Sequence, residues 1–122
     1  MRDILFVDDA VDAYIAAWRN IGRVRGGAFN LGGGPGNAVS LRQVLRHIGT
    51  LLGSPVQVQH GDWRAGDQRY YVSDTRLATR ALGLRPPTPW QDGLAALADW
   101  LRGQNHGLAA VAPPPHPAEA LP

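Results

Sequence analysis

Residues 2–22, RDILFVDDAVDAYIAAWRNIG, change character half-way along, and that change decides the fold class. Ile4-Leu5-Phe6-Val7 is wholly apolar and rich in strand formers, the pattern of a strand buried on both faces. From Val11 onward the period lengthens. Val11, Tyr14, Ile15, Trp18 and Ile21 recur at helical spacing, and Gly22 closes the run. Asp8 and Asp9 stand at the junction. They would serve as paired carboxylates for acid–base or metal chemistry, but capping the helix N-terminus explains them with fewer assumptions. A short strand leading into an amphipathic helix is the repeating unit of α/β architecture.

The unit recurs downstream. Ala28-Phe29-Asn30-Leu31 predicts a second strand, and Gly32 to Asn37 a glycine-rich turn. Ser40 and Gln43 form a capping box ahead of the stripe Leu41, Val44, Leu45, Ile48, Leu51 and Leu52, which Gly53 ends. Val56 to His60 alternates like a half-exposed third strand. Ser73 or Asp74 is expected to cap a third helix through Leu77, Ala78, Ala81 and Leu82, closed by Gly83. Thr88, Pro89 and Gln91 mark a fourth, with Pro at its first helical position and Leu94, Leu97, Ala98 and Leu101 as its apolar stripe. Short strands thus alternate with about four helices over residues 1–103. Residues 104–122 form a Pro/Ala-rich tail expected to be disordered. Three short strands make a poor sheet, and only Met1 to Asp3 precede the first. The expectation is therefore a piece of a larger protein, lacking its N-terminal region.

Composition narrows the function classes. A chain of 122 residues is about one domain. Cysteine is absent, and the four histidines (His47, His60, His106, His116) lie far apart, so a metal site is not expected. No apolar run approaches the roughly 18 residues of a membrane span and no signal peptide is recognisable, so the expected location is the cytoplasm. All twelve basic residues are arginine, and the net charge is only +2. They are scattered, where a nucleic-acid binder needs a basic stripe.

Two stretches invite chemistry. Gly32-Gly33-Gly34-Pro35-Gly36 fails the dinucleotide fingerprint because position 37 is Asn, and a P-loop needs a lysine that the chain lacks. A flexible turn beside a site fits it better. Residues 61–74, GDWRAGDQRYYVSD, carry more than a connector needs. One reading is a solvated surface loop. The other is a clamp, in which the Arg64 guanidinium, turned outward between Gly61 and Gly66, meets a phosphate oxygen pair and Asp67 accepts from vicinal hydroxyls. Tyr70 and Tyr71 are expected to place one ring inward and leave the other at the site.

With these residues assembled, the chain resembles the C-terminal part of the extended short-chain dehydrogenase/reductases. Within that family it is most similar to the CDP-paratose (CDP-tyvelose) 2-epimerases among the nucleotide-sugar epimerases and dehydratases. Four blocks in order carry the likeness: RDILFVDD from Arg2, FNLGGG from Phe29, DWRAGDQR from Asp62, and SDTRLA from Ser73 with ALGLRP from Ala81. The resemblance implies the substrate-binding part of an extended Rossmann-type fold. It assigns Arg2 and Arg64 to the substrate diphosphate and Asp67 to the nucleotide ribose. Asn30 to Gly34 would lie where the substrate and cofactor halves meet, and Trp63 and Gln68 would mark the CDP-sugar group. In the family a hydride leaves the sugar for NAD and returns to the opposite face. The cofactor fingerprint and the Tyr-x-x-x-Lys of that chemistry have no counterpart here, so no NAD binding and no turnover are expected of this chain alone. The alternative is a non-catalytic nucleotide-binding or regulatory module.

Overall fold

Helices dominate, because the helical period is sustained over long stretches whereas a strand exists only where a neighbour accepts its hydrogen bonds. In the computed structural model, which describes residues 1–104, β1 (Arg2–Asp3) leads into α1 (Val7–Arg19) and the single turn α2 (Ile21–Val24). A 3-10 turn (Pro35–Asn37) precedes β2 (Ala38–Val39), followed by α3 (Leu41–Leu52), α4 (Arg76–Leu82) and α5 (Trp90–Gln104). β1 and β2 pair antiparallel, Arg2 opposite Val39 and Asp3 opposite Ala38, and Arg2 also bridges Tyr71 in parallel. The architecture is mixed helix and sheet, but with a sheet of two strands.

The local punctuation holds in part. Thr75, and neither Ser73 nor Asp74, stands at the N-cap of α4, without a side-chain cap. Gly22 lies inside α2 instead of ending α1, because a second turn follows Asn20. Ser40 and Gln43 make the full capping box of α3, and Gly53 and Gly83 close α3 and α4 in the left-handed conformation. The three expected strands do not form. Val7 is already the first residue of α1, and Ile4 to Phe6 run beside the glycine turn, with Ile4 N–H donating to the Asn37 carbonyl at 3.2 Å. A four-residue apolar run cannot by itself distinguish a strand from a buried approach to a helix. Ala28 to Leu31 and Val56 to His60 are irregular, since no described segment lies alongside to pair with them.

Asp8 and Asp9 are not caps either. They occupy the first turn of α1, behind Phe6, which offers no side-chain cap. Asp9 instead fastens the distant start of α5: its carboxylate accepts from Thr88 N–H at 2.7 Å and from the Thr88 hydroxyl at 3.0 Å. Buried Asn37 completes that junction, donating to the Thr88 carbonyl at 2.7 Å and accepting from Trp90 N–H at 3.0 Å. Pro89 lies one residue ahead of α5 and accepts its first hydrogen bond, from Gly93 N–H. Gly93 lies in the first turn of α5 against Phe6, where a Cβ would lie 3.0 Å from the Phe6 ring. The helix runs through Gly103 to Gln104, so the regular pattern extends past the expected boundary; the rest of the expected tail lies outside the described residues. No helix among the described residues is long and apolar enough to cross a membrane.

α1 packs on α4 and α3 on α5, but little is enclosed. Among the described residues the buried apolar side chains are Ala13, Val39 and Ala78. The apolar stripe of α1 and α2 is open: Val11, Tyr14, Ile15, Trp18 and Ile21 are all exposed, Trp18 by 74%. Apolar surface on this scale favours association. Trp18→Gln should leave stability within about 0.5 kcal/mol, as for surface substitutions generally, while lowering the light scattering of concentrated protein. A clear loss of stability on thermal melting would show that the indole belongs to the packed interior.

Candidate functional site

β1 is only two residues long, yet successive side chains of a strand point to opposite faces, and the two residues do different work. Arg2 reaches the loop. Its Nη2 donates to Asp67 Oδ1 at 2.9 Å, with the two side chains 43% and 51% exposed. Asp3 turns to the glycine turn, where Oδ2 accepts from Gly34 N–H at 2.9 Å and from Ser73 N–H at 3.1 Å. One carboxylate oxygen thereby joins β1, the turn after Leu31 and the segment leading to α4.

That junction depends on glycine. A Cβ on Gly33 would overlap the Ile4 carbonyl, and one on Gly32 would overlap the Ser73 hydroxyl and lie 2.6 Å from Asp3 Oδ2. Gly34 adopts φ 68°. The turn is therefore sealed against its own chain, with the Gly34 amide already committed to Asp3.

The loop is exposed at every residue from Gln57 to Tyr71. Asp67 N–H donates to the Arg64 carbonyl at 3.2 Å, and Gly66 has φ 80°, the requirement for the third position of a type II turn. Gly61 has no such conformation, so Gly66 alone supplies the sharp bend. Beyond the turn, Tyr71 N–H donates to the Met1 carbonyl at 3.0 Å and the Met1 amino group to the Arg69 carbonyl at 2.7 Å, holding this stretch beside β1. The Arg69 guanidinium lies over the Trp63 ring, 5.4 Å from its centroid.

Of the residues singled out from sequence, the structure ties together Arg2 and Asp67, with Trp63 in the same loop against Arg69. Arg64, Gln68 and Asn30 are exposed. Arg64 forms no ion pair among the described residues, and no hydrogen bond joins Asn30 to the loop. Both tyrosines face solvent, Tyr70 66% and Tyr71 44% exposed, in place of the expected inward ring, because no described element covers either side of this edge. Asp74 holds the start of α4 locally, accepting from Arg76 N–H and pairing with its guanidinium, which lowers its pKa to about 2. Asp3, Asn37 and Ser73 were not legible as supports. Their partners lie 31 to 70 residues away, and only the alternation of Arg2 and Asp3 hinted at one.

No protein-family model matches the chain. It is 30% identical over 100 residues to the CDP-paratose 2-epimerase of Salmonella typhi, covering 82% of this chain and 30% of that protein. It is 31% identical over 104 residues to a UDP-glucose 4-epimerase of Mycolicibacterium smegmatis, covering 85% and 32%. The dTDP-L-rhamnose 4-epimerase of Burkholderia thailandensis matches at 28% over 100 residues, covering 82% and 27%. The chain is thus similar in sequence to nucleotide-sugar epimerases, which supports the NAD-dependent epimerase family. It spans about 30% of the length of the curated relatives it matches.

Burial pushes the Asp3 carboxyl up, but hydrogen bonds from Gly34 N–H and from the Ser73 hydroxyl and N–H outweigh it, and its pKa falls below the usual 3.8. A depressed carboxyl contributes stability above its unfolded pKa that is lost as pH falls through the folded value. Its share is thus present at neutral pH and disappears in acid below about 3.8. Asp3→Ala strands two amides and should cost about 2 kcal/mol or more by thermal melting at pH 7. Asp3→Asn keeps an acceptor oxygen and should flatten the loss of stability below pH about 4. An unchanged acid profile would remove Asp3 from this role.

The glycines give a second, independent check. Gly33→Ala should destabilise by about 3 kcal/mol, the upper range for overpacking. Gly36→Ala meets nothing within 4 Å and should be near neutral in the same melting measurement.

Proposed function

We propose that this chain is the nucleotide-sugar-binding portion of an NAD-dependent sugar-nucleotide epimerase, that its substrate is a CDP-sugar, and that it does not epimerise one alone. The observation that carries the reading is the Arg2–Asp67 contact, which joins two of the four resemblance blocks across 65 residues at an exposed edge. Arg2 and Arg64 would hold the diphosphate, Arg64 presented beside the Gly66 turn with no carboxylate of its own. Asp67 would accept from the ribose hydroxyls once Arg2 turns to phosphate. Trp63 and Gln68 support a CDP-sugar through the DWRAGDQ block, and the similarity to a CDP-paratose 2-epimerase points the same way. Asn30 would face the cofactor half.

The residues present do not fit NAD. The glycine turn spends its Gly34 amide on Asp3, Gly33 packs on the Ile4 carbonyl, and the chain has no lysine. The family's cofactor would supply hydride acceptance from sites other than these. The role read here is binding and orientation.

Arg64→Lys tests the clamp while keeping the charge. Lysine offers a point charge where arginine meets two phosphate oxygens in one plane. Losing one charged hydrogen bond, worth about 1.5–3 kcal/mol, should weaken CDP binding roughly ten- to a hundredfold in calorimetric titration. Arg42→Lys, on the exposed first turn of α3, should leave it unchanged. Equal CDP affinity for Arg64→Lys and the parent would return the loop to a plain solvated surface.

A further inference from the structure

We propose that Trp63, with its ring plane held by Arg69, is the surface on which the nucleobase stacks; this rests on the reading of the loop as a nucleoside-diphosphate site. The indole stays 59% exposed although the Arg69 guanidinium lies 5.4 Å from its centroid, so no core requires it. A cation over an aromatic face is an attractive contact that orients both groups. Arg69 is itself anchored, since its carbonyl accepts from the Met1 amino group at 2.7 Å and Tyr71 N–H donates to the Met1 carbonyl at 3.0 Å. Trp63 immediately precedes the turn that begins at Arg64 and closes at Asp67, with Arg2 on Asp67. A flat apolar face, a hydroxyl acceptor and guanidinium groups therefore share one exposed edge, and base, ribose and diphosphate follow one another in a nucleotide. Fixing the indole before the ligand arrives removes part of the ordering cost of binding.

The test is calorimetric titration of the 122-residue chain with CDP and, separately, with inorganic pyrophosphate, which has no base. Stacking of one base is worth about 1–3 kcal/mol on alanine substitution. Trp63→Ala should therefore weaken CDP binding about tenfold and leave pyrophosphate binding unchanged. Trp63→Phe should retain most of the CDP affinity. Circular dichroism should match the parent for both variants, as the ring lies outside the packed interior. If Trp63→Ala changes neither affinity, or lowers both alike, the indole is not the base platform while the phosphate clamp stands. A parent chain that binds neither probe removes the site reading and this inference together.

Discussion

A single carboxylate oxygen organises the candidate site. Asp3 Oδ2 takes two backbone amides, from Gly34 and Ser73, that stand 39 positions apart in the chain with α3 and the exposed loop between them. The geometry closes because residues 32 and 33 lack side chains: the Ile4 carbonyl and the Ser73 hydroxyl occupy the space a Cβ would need. Moving any one of these atoms moves the others. The Arg2 side chain, on the opposite face of the same two residues, inherits its position from that lock. The loop can remain fully exposed and still meet Arg2 at a defined place, because the rigid part lies underneath it. This division suits a binding edge, where a fixed scaffold carries mobile polar groups.

The second constraint is what the helices leave open. α1 buries Ala13 toward its neighbours while presenting Val7, Val11, Tyr14, Ile15 and Trp18 outward. Ile4 to Val7 and the α5 residues Trp90, Leu94, Leu97 and Trp100 line an apolar groove of about 580 Å³. With three small apolar side chains buried, the described residues are held together largely by polar junctions: Asp3 at the glycine turn, and Asn37 with Asp9 at Thr88. Such junctions specify geometry well but contribute modestly to net stability, about 1 kcal/mol per neutral hydrogen bond.

What was legible in the sequence follows from how far each signal reaches. The Ser40–Gln43 box, Gly53, Gly83 and the helices between them are written within four residues of each other and appear as read. The bend at Gly66 is equally local. Strands are a relation between two segments, and the apolar run 4–7 could not announce that its backbone would face the 3-10 turn. Asp9 illustrates the limit most sharply. Its place in the sequence suits a helix cap, yet its partner is Thr88, 79 residues away. In the site, the arginine at 64 and the aspartate at 67 suggested phosphate and hydroxyl chemistry and the family resemblance added Arg2, but the pairing of Trp63 with Arg69 needed the fold of the loop to become visible.

The Arg2–Asp67 pair also bears on how the proposed site would work. Both side chains are about half exposed, and a pair in that setting is worth roughly 0–1 kcal/mol after screening. It is strong enough to keep the guanidinium aimed at the loop and weak enough to exchange. A diphosphate offers Arg2 an oxygen pair with more charge than one carboxylate oxygen, so exchange is downhill for the arginine. Asp67 then loses its cation at the moment a ribose brings hydroxyl donors to it. The free protein thus keeps both groups partnered, and on the proposed reading a nucleotide satisfies each of them separately. A lone phosphate would free Asp67 without giving it a partner. On that reading the pair favours a ligand with sugar hydroxyls behind its phosphates over one with phosphates alone.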